Sequence, residues 1–213
     1  MTAVTAFKPV SDFAELADEA SLARTKKALE ANGFEVFVVD SGAEAKAKVL
    51  ELIPEGAEVM TNTSMTLDEI GVSKEINESG RYDAIRPKMI ALYADPTKKR
   101  EMRKISAAPD FALGSVHAIT EHGEVIIASA SGSQLGPYPY AAGKVIWVAG
   151  THKIVADHDH GRRRIREHTF PLENKRAQAA YGMGSSIHKE LTIRGDSAPG
   201  RYTLILIREH IGF

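Results

Sequence analysis

The chain has 213 residues, 43 % of them hydrophobic and 26 % charged, which suits one globular domain, or one with a small appendage, with a real core. Its net charge of −1 supplies no overall field that would attract nucleic acid or an anionic membrane. The absence of cysteine excludes, within this chain, a disulfide scaffold, a Cys-ligated zinc, an iron–sulfur cluster and a cysteine nucleophile.

Residues 1–10 carry no basic segment followed by an apolar one, so no signal peptide is expected. Ser11 and Asp12 can cap a helix running to about Ala31, with Leu16, Leu22, Ala23 and Leu29 near one face and Gly33 as its left-handed stop. Residues 34–39 follow as a strand rich in aromatic and β-branched side chains. Ser41 with Glu44 forms a capping box for a second helix that ends before Pro54. Residues 57–61 read as a short buried strand, and Thr66 is a candidate cap for a short helix through Gly71. Helical material interrupted near Gly80 and Pro87 comes next, then a basic helix over residues 96–106. After Pro109, residues 111–120 and 124–130 read as two strands joined by a turn at Glu121, His122 and Gly123. A Ser/Gly/Pro/Tyr loop, residues 131–140, leads to an apolar strand at 144–148 with a possible extension at 153–155. Helices are expected at 162–168 and 172–181, and closing strands at 191–194 and 202–207. The longest apolar runs, 125–128 and 145–149, are strand-length and too short to span a bilayer, so the expected location is cytoplasmic. Helix–strand alternation in the first half predicts parallel pairing, and tight turns in the second half predict some antiparallel pairing. No linker divides the chain, which reads as one domain over 1–213.

Four constellations could carry chemistry. In Thr61-Asn62-Thr63-Ser64-Met65-Thr66, hydroxyls and backbone N–H groups fall between a strand and a helix, a setting that suits an anion. Helix capping explains the same composition without a ligand. In Gly114-Ser115-Val116-His117, a serine and a histidine interrupt an apolar strand; His117 is a candidate acid/base with Glu121, against the plainer reading of a hydrogen-bonded structural histidine. In Ser129-Ala130-Ser131-Gly132-Ser133-Gln134, small residues allow close backbone approach and hydroxyls supply donors, although a flexible turn has the same composition. The spacing fits neither a Walker A loop nor a dinucleotide fingerprint. Finally His152, Lys153, His158, Asp159, His160 and His168 lie near Arg162, Arg163, Arg164 and Arg166. His158 and His160 suggest a metal only if a third ligand converges on them, and the arginines fit either an anionic substrate or a solvated helix face.

Read in order, these segments resemble the lactate utilisation (LUD) family. The matching stretches include Thr61-Asn62-Thr63-Ser64-Met65-Thr66-Leu67-Asp68-Glu69-Ile70-Gly71, the run from Gly114 to Gly123, and Ala128 to Leu135. Val145-Ile146-Trp147-Val148-Ala149-Gly150 with Lys153-Ile154-Val155, and Arg163 to Glu167 with Pro171-Leu172-Glu173-Asn174, complete the set. The resemblance implies a three-layer α/β/α sandwich with a mixed, mostly parallel sheet, of the NagB/RpiA/CoA transferase-like superfamily. It also implies the small, cluster-free member of a protein set that oxidises L-lactate to pyruvate, with iron–sulfur clusters on partner proteins and no cofactor in this chain. Ligands in that superfamily sit at strand ends. This places a small carboxylate or phosphate among Asn62, Thr63, Ser64, Thr66, Ser115, Ser129, Ser131, Gly132, Ser133, Gln134 and Lys153; His117 or Glu121 is the candidate acid/base should the chain be an enzyme in its own right. A stand-alone enzyme acting on a sugar phosphate or an acyl/CoA-type substrate, and a regulatory protein without turnover, are the alternatives. His158-Asp159-His160 is an unusually histidine-rich departure from the family pattern.

Overall fold

The computed structural model describes residues 11–213; residues 1–10, on which the signal-peptide expectation rests, lie outside the described residues. Helix α1 (Glu19–Ala31) begins later than its sequence pattern suggests. Ser11–Ala14 forms a separate 3-10 turn, and Asp18 is the N-cap, accepting from the Ser21 N–H at 2.7 Å. Phe13 accounts for the break. It is drawn into a small apolar cluster with Ala118, Ile126, Val155 and Ile165, and Leu16 is left exposed.

Strand β1 (Glu35–Val39) leads to α2 (Gly42–Leu52), where Ser41 accepts from the Glu44 N–H and the Glu44 carboxylate reaches back to the Asp40 N–H. Next come β2 (Glu58–Thr61), α3 (Met65–Glu69), α4 (Val72–Glu78), β3 (Asp83–Ala84) and α5 (Ile85–Ala91). Ser64, rather than Thr66, caps α3: its backbone is extended and its hydroxyl accepts from the Leu67 N–H at 3.3 Å. Pro87 does not interrupt a helix but occupies the first turn of α5, where a missing N–H leaves no intrahelical bond unmade. Helix α6 (Lys99–Ala107) precedes β4 (Phe111–Gly114), β5 (Ala118–Thr120) and β6 (Val125–Ser129). A π-helical turn (Pro137–Ala141), β7 (Lys144–Gly150), β8 (Ile154–Val155) and α7 (His158–Arg164) follow. A second π-helical turn (Ile165–Thr169) joins α7 to α8 (Phe170–Tyr181), and β9 (Lys189–Ile193) and β10 (Tyr202–Ile207) close the fold.

Two sheets form. The larger has six strands in the order β1-β10-β7-β4-β2-β3, and every pair in it is parallel. The smaller, β8-β5-β6-β9, holds the antiparallel pairs. One expectation is thereby corrected. Residues 111–120 are not one strand: β4 lies in the large sheet and β5 in the small one, with the crossing at Ser115, Val116 and His117. Likewise β6 belongs to the small sheet.

Along β7 and β10 successive side chains face opposite layers, and both layers are apolar, so these strands read as continuous hydrophobic runs. Ile146, Val148, Ile205 and Ile207 pack against Ala45 and Val49 of α2 and Leu67 and Ile76 of α3 and α4. Val145, Trp147, Leu204 and Leu206 pack against Leu22 and Leu29 of α1 and against Ile119, Val125 and Ile127 of the small sheet. The outer face of the small sheet, with Ala118, Ile126, Ala128 and Val155, is covered in turn by Phe13 and Ile165. The result is an α/β fold in which helices flank a parallel sheet, in keeping with a three-layer arrangement. Among the described residues no helix is long and apolar enough to cross a membrane.

Candidate functional site

Because β2, β4 and β7 are parallel and adjacent, their carboxyl ends lie on one edge of the sheet. The segments leaving them carry Asn62 to Thr66, Ser115 to His117, and Thr151 to Lys153. The turn after β6 brings Ser129 to Gln134 to the same place. Together they wall a cavity of about 450 Å³, lined by Asn62, Thr63, Ser64, Thr66, Ser115 and His117, and by Ser129, Ser131, Ser133, Gln134 and Lys153. Strand-end clefts of this kind are where open α/β sheets bind ligands.

Lys153 sits at the bottom, 2 % exposed. Its Nζ donates to Ser115 Oγ at 3.0 Å and to Thr66 Oγ1 at 3.3 Å. Among the described residues no carboxylate comes within ion-pair distance of it. Burial, and secondarily the positive charge of Arg164, pull its pKa down to about 7, with Glu69 acting weakly the other way. Near neutral pH this amine is therefore divided between a charged and a neutral form, and the charged form lacks a counterion.

His117 lies beside it. Its Nδ1 accepts the Ala128 N–H at 3.2 Å, and burial, then the charges of Lys153 and Arg164, push its pKa down to about 3. The imidazole is thus neutral with its proton on Nε2. This geometry offers a donor where the sequence reading expects a base, because the only unprotonated nitrogen is already occupied.

Much of the remaining polarity builds the walls. Asn62 Nδ2 donates to Leu113 O and to Tyr138 Oη, at 3.2 and 3.1 Å. Gly114 is required here, since a Cβ on it would collide with the Tyr138 hydroxyl. Arg86 donates to Thr61 O and Thr63 Oγ1, at 3.1 and 2.9 Å, and so holds the turn after β2. In the turn after β6, Ser129 Oγ accepts the Gly132 N–H, Ser131 Oγ accepts the Ser133 N–H, and Gln134 Nε2 donates to Ala128 O. Gly132 takes φ +84° and shapes that turn without lining the cavity.

Glu121 is not brought to this site. It lies in a separate depression with Ser21, Arg24 and His152, where it accepts from Ser21 Oγ at 2.6 Å and from Arg24 Nε at 2.7 Å. The hydrogen bonds and charge of Arg24 keep its carboxyl below the usual range. These bonds fasten the β5–β6 turn to α1. At Gly123, φ is +80° and a Cβ would meet the Ala28 backbone at 2.6 Å. The candidate metal histidines diverge from that role: His158 Nε2 pairs with Thr192 Oγ1 at 2.9 Å, and His160 packs edge-on against Phe13. Among the described residues no three His, Asp or Glu side chains converge on a metal position. Of the arginine run, Arg162 and Arg163 pair with Glu190 and Glu167, Arg166 is exposed, and Arg164 is buried behind the cavity.

Sequence reasoning missed the far wall, made by Tyr138, Thr169, Phe170, Glu173, Arg176 and Tyr181. Thr169 arrives through the π-helical turn between α7 and α8, a device that no spacing rule reveals.

The LUD domain family model matches residues 22–210 of the chain. A comparison with curated proteins returns no match. Among solved structures, the crystal structure of a DUF162 family protein from Deinococcus radiodurans, at 1.70 Å resolution, is similar with a TM-score of 0.55 and 12 % sequence identity, over 91 % of this chain and 99 % of that one. At that identity the likeness bears on the fold alone. The family match spans nearly the whole chain, from the middle of α1 to the tail after β10, and the chain belongs to the LUD domain family.

Proposed function

We propose that the chain binds a small anion, a carboxylate or a phosphate, at Lys153, and that it serves as the cluster-free, ligand-binding subunit of a cytoplasmic L-lactate-oxidising system whose iron–sulfur clusters reside on partner proteins. One observation carries the anion reading. Lys153 is a buried amine facing a cavity, with two hydroxyls for partners and, among the described residues, no carboxylate. Desolvating a cation without a counterion costs several kcal/mol, and an anion in the cavity recovers part of that cost. The neutral His117 ring adds an N–H donor, and a charge-assisted bond from Lys153 is worth more than a neutral one. The place in lactate oxidation rests on the family's association and on the absence of cysteine.

Calorimetric titration with lactate, pyruvate, sugar phosphates and CoA tests the binding. Heat from at least one of them, lost in Lys153→Met, is the expected result; silence from all of them sinks the reading. Co-purification with a cysteine-rich partner supports the subunit role, whereas turnover by the isolated chain transfers the case to a stand-alone enzyme on a sugar phosphate or acyl compound.

A further inference from the structure

The cavity is larger and less uniform than a three-carbon acid needs. Its volume of about 450 Å³ falls in the range of sites that enclose drug-sized ligands. Its almost fully buried lining sets the polar Lys153, Thr66, Asn62 and Thr169 beside the apolar Val116, Ile165 and Ala177. Its exposed lining sets the hydroxyls of Thr63, Ser131 and Ser133 beside large apolar side chains. Seven large hydrophobic side chains are exposed among the described residues, namely Leu16, Ile90, Tyr93, Tyr140, Tyr181, Met183 and Ile187. Four of these, Tyr93, Tyr181, Met183 and Ile187, line this one cavity. They come from three separate places: the turn after α5, the end of α8, and the loop leading to β9. Single exposed apolar residues scattered over a surface need no explanation, but their convergence on one opening does.

We infer that the ligand of this site is an amphiphilic anion, with a carboxylate or phosphate head at Lys153 and an apolar tail several carbons long lying between Tyr93, Tyr181, Met183 and Ile187. This rests on the anion reading above and narrows its substrate class. A short acid such as lactate fills only the space around Lys153 and leaves the four apolar side chains in water. A tail covers them, and each methylene taken out of water adds to affinity. A neutral lipid satisfies the opening but leaves Lys153 without its counterion. An amphiphilic anion satisfies both ends.

The experiment is a calorimetric series on the full chain with acetate, butyrate, hexanoate and octanoate, repeated with Tyr181→Ser/Met183→Ser. Affinity rises by about fourfold per methylene until the tail fills the opening, and the double variant has a flatter dependence. Binding that is the same for acetate and octanoate overturns the inference while leaving the anion site standing. If no acid of the series binds and no phosphate does either, the anion reading fails and the inference fails with it. Self-association that covers the apolar opening, seen as a dimer by ultracentrifugation with no dependence on tail length, assigns these residues to a second copy and also overturns it.

Discussion

Arg164 and Lys153 carry the same charge, are equally buried, and influence each other's surroundings, yet their environments differ in kind. The Arg164 guanidinium is enclosed by acceptors. It donates to His117 O at 2.5 Å, Thr169 Oγ1 at 2.9 Å, His152 O at 3.3 Å and Phe13 O at 3.4 Å. Burial pulls its pKa down to about 9, which still leaves it charged at neutral pH. It ties the start of the described chain, the β4–β5 crossing, the segment after β7 and the π-helical turn to one point. Lys153 has two hydroxyl partners and faces the cavity. A buried cation ringed by carbonyls is a brace, and one that opens on a cavity with unfilled bonding capacity is a binding group. The geometry of a planar fork against a single flexible ammonium makes the division of labour natural.

The comparison breaks most readily at the brace. Arg164→Met leaves three backbone carbonyls and the Thr169 hydroxyl without their donor, each unmet group costing roughly 1–3 kcal/mol, partly offset by removal of a desolvated charge. The expected net loss is about 3 kcal/mol, read as a lower urea midpoint at constant slope. Unchanged stability would show that Arg164 is not a brace.

Lys153→Met makes the opposite prediction. Removing a charge that has no counterion leaves stability equal or slightly higher, while anion affinity falls roughly 10- to 100-fold, the loss of one charged hydrogen bond. A variant that unfolds, yet when folded still binds as wild type does, would reverse the roles assigned to the two cations.

Titration sharpens the same contrast. The pKa of Lys153 in the free protein is about 7. Only the charged amine offers an anion its counterion, so affinity is fully present below this value and declines as pH rises through it, by about tenfold per unit above it. The effect on folding has the other sign. The folded pKa lies below the unfolded one, so the native state binds fewer protons between about 7 and 10.5, and this group's contribution to stability improves as pH rises across that window. Calorimetry from pH 6 to 9, with wild type beside Lys153→Met, resolves the two; affinity independent of pH in wild type removes Lys153 from the site.

The sequence made parts of this contrast visible. Apolar strands followed at once by hydroxyl-bearing turns mark where a parallel sheet ends, so Asn62, Ser115 and Ser131 could be assigned to one edge before any coordinates. Lys153 was a candidate beside them, although its order along the chain does not require it to approach them. What stayed hidden depends on tertiary choices. The apolar stretch from Phe111 to Thr120 has the same pattern whether it stays in one sheet or changes sheets at Ser115, and only the partners β6 and β7 decide. Arg164 was indistinguishable from its three neighbours, since a run of arginines on a helix does not say which one turns inward. Arg176, Tyr181 and Met183 reach the cavity only because the π-helical turn at Ile165–Thr169 redirects α8. Pro171, in the first turn of α8, lacks the N–H that an unbroken α-helix would need there.

The smallest expected effect separates the cavity from the second depression. Glu121, offered by sequence beside His117 as a candidate acid/base, is held by Ser21 and by Arg24, whose side chain is 57 % exposed. An ion pair so open to water contributes little, because solvent screens the attraction and holding two long side chains together costs entropy. Glu121→Gln keeps the shape and the acceptor for Ser21 while removing the charge. Its cost in stability is expected to stay under about 1 kcal/mol and to shrink further at high salt. Affinity for anions at Lys153 should not change, since Glu121 does not line that cavity. The two readouts bear on different claims. A larger loss of stability, independent of salt, would make the β5–β6 turn a major anchor of α1. A tenfold loss of anion affinity would join the two depressions into one site and restore Glu121 to the chemistry from which its position now separates it.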